Sequence, residues 1–259
     1  MVRFGRMLAA VLSLLGSPVS AIAQDVAVVA AAADLQFALS EVASQFTKDT
    51  GREVKLAFGS SGNFHRQIKE GAPFDIFLSA DEGYVLDLAK EGLTVDEGVL
   101  YGIGRIVLIV PPESPLKPDG SLKDLAARLG EGAVKKFAIA NPDHAPYGRA
   151  ARAALKTAGL WDRLEGKLVL GENVSQAAQY ATTGSTAGGI IAYSLALSPK
   201  VSALGQFALI PADWHEPLRQ RAVLTRRAGE AAKSFYAYLQ SPAARAVLKR
   251  FGFVLPGEI

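Results

Sequence analysis

Four places in this chain set a short apolar run against a small-residue or hydroxyl-rich loop that opens a helix. They are Val26–Leu35 (VAVVAAAADL), Leu56–Ile68 (LAFGSSGNFHRQI), Asn141–Gly148 (NPDHAPYG) and Gly171–Ser175 (GENVS). Such a joint leaves the first N–H groups of a helix unpaired, with the positive end of the helix dipole behind them, and so prepares an anion site. In the second joint Gly59 permits close approach, and the hydroxyls of Ser60 and Ser61 can donate to an oxyanion. The local alternative is that one serine only caps the helix. Asp34 stands where the first helix begins and reads as an N-cap, which leaves the N–H groups of Asp34 and Leu35 as donors. The third joint offers the N–H of Tyr147 or Gly148. In the fourth, Asn173 can cap a helix whose free N–H groups lie at Val174 and Ser175. Each joint alone is ordinary helix punctuation. Four together fit a cage of neutral donors around an oxyanion.

Other chemistries find little support. His65, His144 and His215 lack metal-ligand spacing, so no bare-cation site is expected. No G-x-S-x-G elbow accompanies the serines, and neither a Walker loop nor a dinucleotide fingerprint is present; no cofactor and no catalytic residue are expected. Tyr147, Tyr180 and Tyr193 read first as core or rim aromatics. There is no cysteine, which removes disulfides, thiolate catalysis and lipid attachment through an N-terminal cysteine. Without Arg3 and Arg6 the formal charge falls from +3 to +1, too small for a nucleic-acid or membrane field. The four arginines of Arg219–Arg227 read as a solvated surface.

The elements that must carry these joints alternate. Arg3 and Arg6, the apolar Met7–Leu15 and Ala21-Ile22-Ala23 form a secretory signal peptide over residues 1–23, so the product is expected to be exported. Strands are expected at Val26–Ala31, Glu53–Phe58, Phe74–Leu78 and Arg105–Val110, with helices between them. A second alternating set follows: strands at Lys136–Ala140, Lys167–Leu170 and Gly189–Ala192, and helices at Leu122–Leu129, Arg149–Ala158 and Ser175–Thr183. Phe207–Pro211 and Ala222–Thr225 are strand candidates, and helices close the chain at Glu230–Leu239 and Ala243–Phe251. This alternation predicts an α/β fold of two lobes with mostly parallel sheets flanked by helices, and ligands held beyond the carboxyl ends of the strands. The expected division is 24–106 plus 218–259 as a discontinuous lobe I and 107–217 as lobe II, with the ligand cleft between them.

Phe58–Asp81 (FGSSGNFHRQIKEGAPFDIFLSAD) resembles the periplasmic molybdate-binding proteins of ABC transporters, the ModA type. Ala140–Gly148, Gly171–Val174 and Ser234–Phe253 extend the resemblance along nearly the whole mature chain. It implies a type 2 periplasmic binding fold closing on a tetrahedral oxyanion, with a ligand serine at Ser61 and main-chain donors at Tyr147 and Val174. Two positions depart from the family pattern, and both stay candidate ligand residues. Asp34 stands where many members have a ligand serine, and Tyr193 comes one residue after the place of a ligand tyrosine, so that it fills that role only if the strand has ended or bulged there. The implied function is capture of molybdate or tungstate in the periplasm and delivery, as a monomer, to an ABC permease in the inner membrane. The alternatives are another oxyanion (sulfate or a phosphate-like ion), a small organic acid held by Arg66 or Arg149, and, in another class, a periplasmic hydrolase using a histidine such as His144.

Overall fold

A computed structural model of the chain describes residues 26–258. The expected signal peptide, 1–23, lies outside the described residues. The first half builds β1 (Ala27–Ala32), α1 (Gln36–Thr50), β2 (Val54–Gly59), α2 (Ser61–Lys69), β3 (Ile76–Ser79), α3 (Glu82–Lys90) and β4 (Val99–Gly104). The chain then runs through β5 (Ile106–Val110), α4 (Lys123–Gly130), β6 (Phe137–Ala140), α5 (Pro146–Thr157), β7 (Leu168–Gly171), α6 (Val174–Thr182) and β8 (Gly189–Ala192). The remaining elements are α7 (Tyr193–Ala196), α8 (Pro199–Ser202), β9 (Gln206–Leu209), β10 (Leu218–Leu224), α9 (Glu230–Tyr238) and α10 (Pro242–Arg250).

Two five-stranded sheets result, in the orders β2-β1-β3-β10-β4 and β7-β6-β8-β5-β9. In each, three strands are parallel, as the strand–helix alternation requires. Each sheet also takes in one strand running the other way: β10 between β3 and β4, and β5 between β8 and β9. Four of the five strands in each sheet thus run one way, as expected, and the reversed strand makes the sheet mixed because the chain must cross between lobes and return. It leaves the first sheet at Gly104 and enters the second at Ile106, which already pairs with Ala192; it re-enters the first at Leu218.

Burial explains both layers. On one face of the first sheet, Leu39, Val42 and Phe46 of α1 pack against Phe235, Val247 and Leu248 of α9 and α10. On the other, Phe64, Ile68, Val85 and Leu88 of α2 and α3 cover Phe77. Leu108, Phe137, Ile139, Leu155 and Ile191 centre the second lobe. Each such side chain is worth about 1.5–3 kcal/mol of burial.

Two strand readings change. β4, LYGIG within Val99–Gly104, escapes period-two reading because its glycines break the alternation. β10 begins at Leu218, four residues before the expected strand. Its inward positions Leu218, Gln220 and Ala222 alternate with Arg219 and Arg221, whose charge hides the pattern. α5 also starts early, at Pro146, whose fixed φ suits a first helical turn.

Candidate functional site

Strand register places the four joints. β1 and β2 run side by side to the pair Ala32↔Gly59, so the first two joints begin next to each other. In the other sheet β6 and β7 end at Ala140↔Gly171, which does the same for the third and fourth. The two pairs face each other across the cleft. Between them lies a small cavity, with about 10 Å³ of space for the centre of a water molecule, bordered by Ala33, Asp34, Ser60, Ser61, Ala80, Tyr147 and Val174.

Local hydrogen bonds decide which groups remain free there. The Ser61 hydroxyl is buried and accepts from the Ala80 N–H at 2.9 Å, so its own proton is left to donate. Ser60 heads α2 without a side-chain cap bond, and its hydroxyl meets His144 Nδ1 at 3.0 Å instead. The Gly62 N–H donates across the cleft to the His144 carbonyl at 3.0 Å, leaving the Ser61 N–H without a protein partner. In α5, Pro146 has no N–H and Gly148 donates to the Ala145 carbonyl, which isolates the N–H of Tyr147. In α6, Asn173 caps the N–H of Gln176 at 3.1 Å, which leaves those of Val174 and Ser175. One hydroxyl and main-chain N–H groups from both lobes thus border one space.

Asp34 does not cap α1. It lies in a 3-10 turn over Ala33–Leu35, and its carboxylate makes no cap bond there. Instead Oδ2 accepts from the Tyr147 hydroxyl at 2.9 Å and from Gln220 Nε2 at 2.8 Å, while Gln220 Oε1 accepts from the Tyr101 hydroxyl at 2.6 Å. The cap reading fails because these long-range partners, one from the opposite lobe, outcompete the local N–H groups. The N–H groups of Asp34 and Leu35 lie near enough to stabilise the carboxylate charge, yet neither aligns into a hydrogen bond with Oδ1. Oδ1 is buried and unpartnered. Burial raises the Asp34 pKa from 3.8 to about 6, against the opposing hydrogen bonds from Gln220 and Tyr147. Burial, and then the Asp34 charge, push the hydroxyls of Tyr147 and Tyr101 well above 10, so both stay protonated donors.

Tyr193 does not reach the cavity. The strand ends at Ala192, and the Tyr193 ring turns outward to pack on Phe207 at 5.9 Å and against the Gly252 turn. Its neighbour Ser194 faces inward and donates to the Asp34 carbonyl at 2.8 Å. Tyr193 already belongs to α7, so strand alternation does not set its direction, and the helical turn carries the ring away from the cavity. Gln220 and Tyr101 escaped sequence reading; the only available sign was an amide at an inward strand position.

Arg149 Nη2 is bound to Asp81 at 2.5 Å and Nη1 to the Tyr84 hydroxyl at 2.9 Å, while Arg66 reaches Asn63, so neither is presented to the cavity. His65 pairs with Asp87, and His215 Nδ1 lies 2.7 Å from the Glu216 carbonyl. Among the described residues no three His, Asp or Glu side chains are grouped to hold a metal ion. The arginines at Arg219 and Arg221 are not simply solvated: both grip Glu82. Burial raises the Glu82 pKa, but the two guanidinium groups outweigh it and hold it below the usual value.

Comparison with known proteins bears on the fold and the family. Residues 27–254 match the family described as bacterial extracellular solute-binding protein. The molybdate-binding protein ModA of Azotobacter vinelandii is 39% identical over 230 residues, covering 88% of this chain and 89% of that protein. ModA of Rhodobacter capsulatus is 34% identical, covering 88% and 87%. The solved structure of an Azotobacter vinelandii periplasmic molybdate-binding protein superposes with a TM-score of 0.81 at 32% identity, covering 90% of this chain and all of the other.

Proposed function

We propose that this chain, which belongs to the family of bacterial extracellular solute-binding proteins, captures molybdate between its lobes and hands it to an ABC importer. One observation carries the reading: a hydroxyl and main-chain N–H groups from opposite lobes border a single buried space, with no arginine or lysine among its lining residues. Groups that only donate suit a fully deprotonated tetrahedral dianion, whose oxygens all accept. A ligand O–H set against such a donor costs about 1–3 kcal/mol. Ser61, Tyr147 and Val174 are the proposed donors.

Tungstate has the same charge and shape and is expected to share the site. Hydrogen phosphate is the second reading, favoured by one residue: Asp34 borders the cavity and carries an unpartnered acceptor, Oδ1, that could take its proton. A small organic acid finds no unengaged arginine there. The nearest approach to a hydrolytic triad is Ser60–His144–Glu172. Its His144–Glu172 separation is 3.5 Å, and Glu172 is exposed and bonded to Asn63, so nothing holds the imidazole for proton abstraction. The chain is therefore read as a receptor without turnover.

The cycle follows from the geometry. Ligand binds one lobe, closure about the crossings at Gly104–Ile106 and Ile210–Leu218 adds the donors of the other, and water is excluded. Export to the periplasm by residues 1–23 and action as a monomer belong to the same proposal. Among the described residues no helix is long and apolar enough to cross a membrane; delivery to a separate permease is part of the same proposal, supported by the likeness to molybdate-binding proteins. Calorimetric titration of the mature chain with molybdate, tungstate, sulfate, phosphate and a set of carboxylates tests the reading. Tightest binding to molybdate or tungstate is expected, and tightest binding to a carboxylate overturns it.

A further inference from the structure

We infer that Asp34 meets the dianion as a carboxylic acid, so that capture takes up one proton, held between Oδ1 and a ligand oxygen. This rests on the oxyanion reading above and adds to it a proton that the cage of neutral donors does not by itself require.

The geometry leaves that proton one place. Oδ2 already accepts two hydrogen bonds, from Tyr147 and Gln220, and both donors are fixed. Gln220 is held the right way round by the Tyr101 hydroxyl, which donates to its amide oxygen. Oδ1 has no partner, although Asp34 is fully buried and borders the cavity. An ionised Oδ1 beside a doubly charged ligand would add a third negative charge to a water-free space. A protonated Oδ1 becomes one more donor on a residue that borders the same cavity as the other free donors.

The N–H groups of Asp34 and Leu35 partly stabilise the carboxylate, but among the described residues no cationic side chain pairs with it. Tyr147 from α5 and Tyr101 from β4 are the titratable groups facing it, and both are held protonated. Ser194 from α7 and Gln220 from β10 are neutral. His144 is turned to Ser60 and Glu172. Among the described residues no lysine, arginine or histidine forms an ion pair with Asp34. Burial has already raised its pKa to about 6 before any ligand arrives, and a dianion pushes the same way. The balance is simple: a carboxylate, one solvent proton and XO₄²⁻ give a carboxylic acid hydrogen-bonded to XO₄²⁻, with no bond to the central atom made or broken.

The test is calorimetry of the mature protein with sodium molybdate, from about pH 6.5 to about pH 8.5, in buffers of different ionisation enthalpy. Molybdate carries no proton in that range. Wild type should take up close to one proton per ion, and its affinity should fall about tenfold for each pH unit. D34N places an N–H donor where the acid's O–H would be, so it should take up none and show a flat profile. It should therefore overtake wild type in affinity as the pH rises. Should D34N fail to fold, the proton count of wild type alone decides. Tight wild-type binding with no proton uptake and no pH dependence would overturn the inference and leave the oxyanion reading standing. Absence of molybdate binding throughout, in wild type and D34N alike, would overturn both.

Discussion

The two lobes touch in two different ways around the same cleft. Deep inside, the contacts are few: Tyr147 to Asp34 and Ser194 to the Asp34 carbonyl are buried, and Ser175 to the Ala33 carbonyl and Gln36 is half-buried. At the rim they carry charge and are more exposed: the half-buried ion pair of Arg149 with Asp81, and the exposed hydrogen bond from Asn63 to the Glu172 carboxylate. The rim looks stronger on a list of ion pairs, yet exposed pairs contribute about 0–1 kcal/mol because water competes for both partners. The inner contacts lie beside the donors that must converge, and a missing partner there strands a buried polar group at a cost of about 1–3 kcal/mol. Closure should therefore be governed from within, with the rim setting alignment.

The harshest way to break that contrast is to hold the lobes apart without touching a donor. A Cβ at Gly62 would sit 2.5 Å from the His144 carbonyl oxygen and 2.8 Å from the Tyr84 hydroxyl. Gly62→Ala should keep its fold, read by circular dichroism, while losing molybdate affinity by roughly a hundredfold or more, because the second lobe's N–H groups no longer reach. Retained affinity would mean that the lobes tolerate a wider separation than the inner contacts imply.

Asp34→Asn probes the inner set through stability without ligand. The Asp34 pKa is raised, so the folded chain binds more protons than the unfolded one, and its contribution is lost as pH rises from about 4 through about 6. The loss is about 3 kcal/mol at neutral pH. Denaturation of both proteins across that range should show wild type falling behind the amide variant as pH rises. Parallel curves would show that the carboxylate is solvated in the ligand-free protein.

Ser61→Ala removes one donor to the ion and leaves the Ala80 N–H without its acceptor. Affinity should drop by about 1.5–3 kcal/mol, roughly ten- to a hundredfold, in titration with molybdate. Arg149→Ala and Asn63→Ala mark the small end of the scale, each expected to cost less than about 1 kcal/mol, with only the Arg149 effect fading in high salt. A rim variant that matched Ser61→Ala would reverse the ranking of the two regions.

Much of this was legible in the sequence because helix beginnings are local events. Gly59-Ser60-Ser61, Pro146 and Asn173 announce where N–H groups go unpaired within a few residues, and the structure brings Ser61, Tyr147 and Val174 to one cavity. Asp34 was placed there too, but with the wrong partners: its bonds to Tyr147 and Gln220 span long sequence separations that no local rule reaches. Tyr193 was misdirected for a different reason. Whether a residue just past a strand keeps the strand's alternation depends on where pairing stops, and it stops at Ala192. Arg219 and Arg221 concealed both a strand and a buried glutamine, since outward charge on alternate positions resembles a solvated loop until the neighbouring strands are known.

The paired strand ends Ala32↔Gly59 and Ala140↔Gly171 have a consequence for how selectivity can change. They act as the fixed jaws of a caliper whose gauge is the peptide ladder. Exchanging a lining side chain adjusts the grip, but a slip of one rung moves a jaw by about 3.3 Å and turns its side chains to the wrong face. A descendant tuned to a larger or smaller ion would thus be expected to keep these ladders and alter how far the jaws swing.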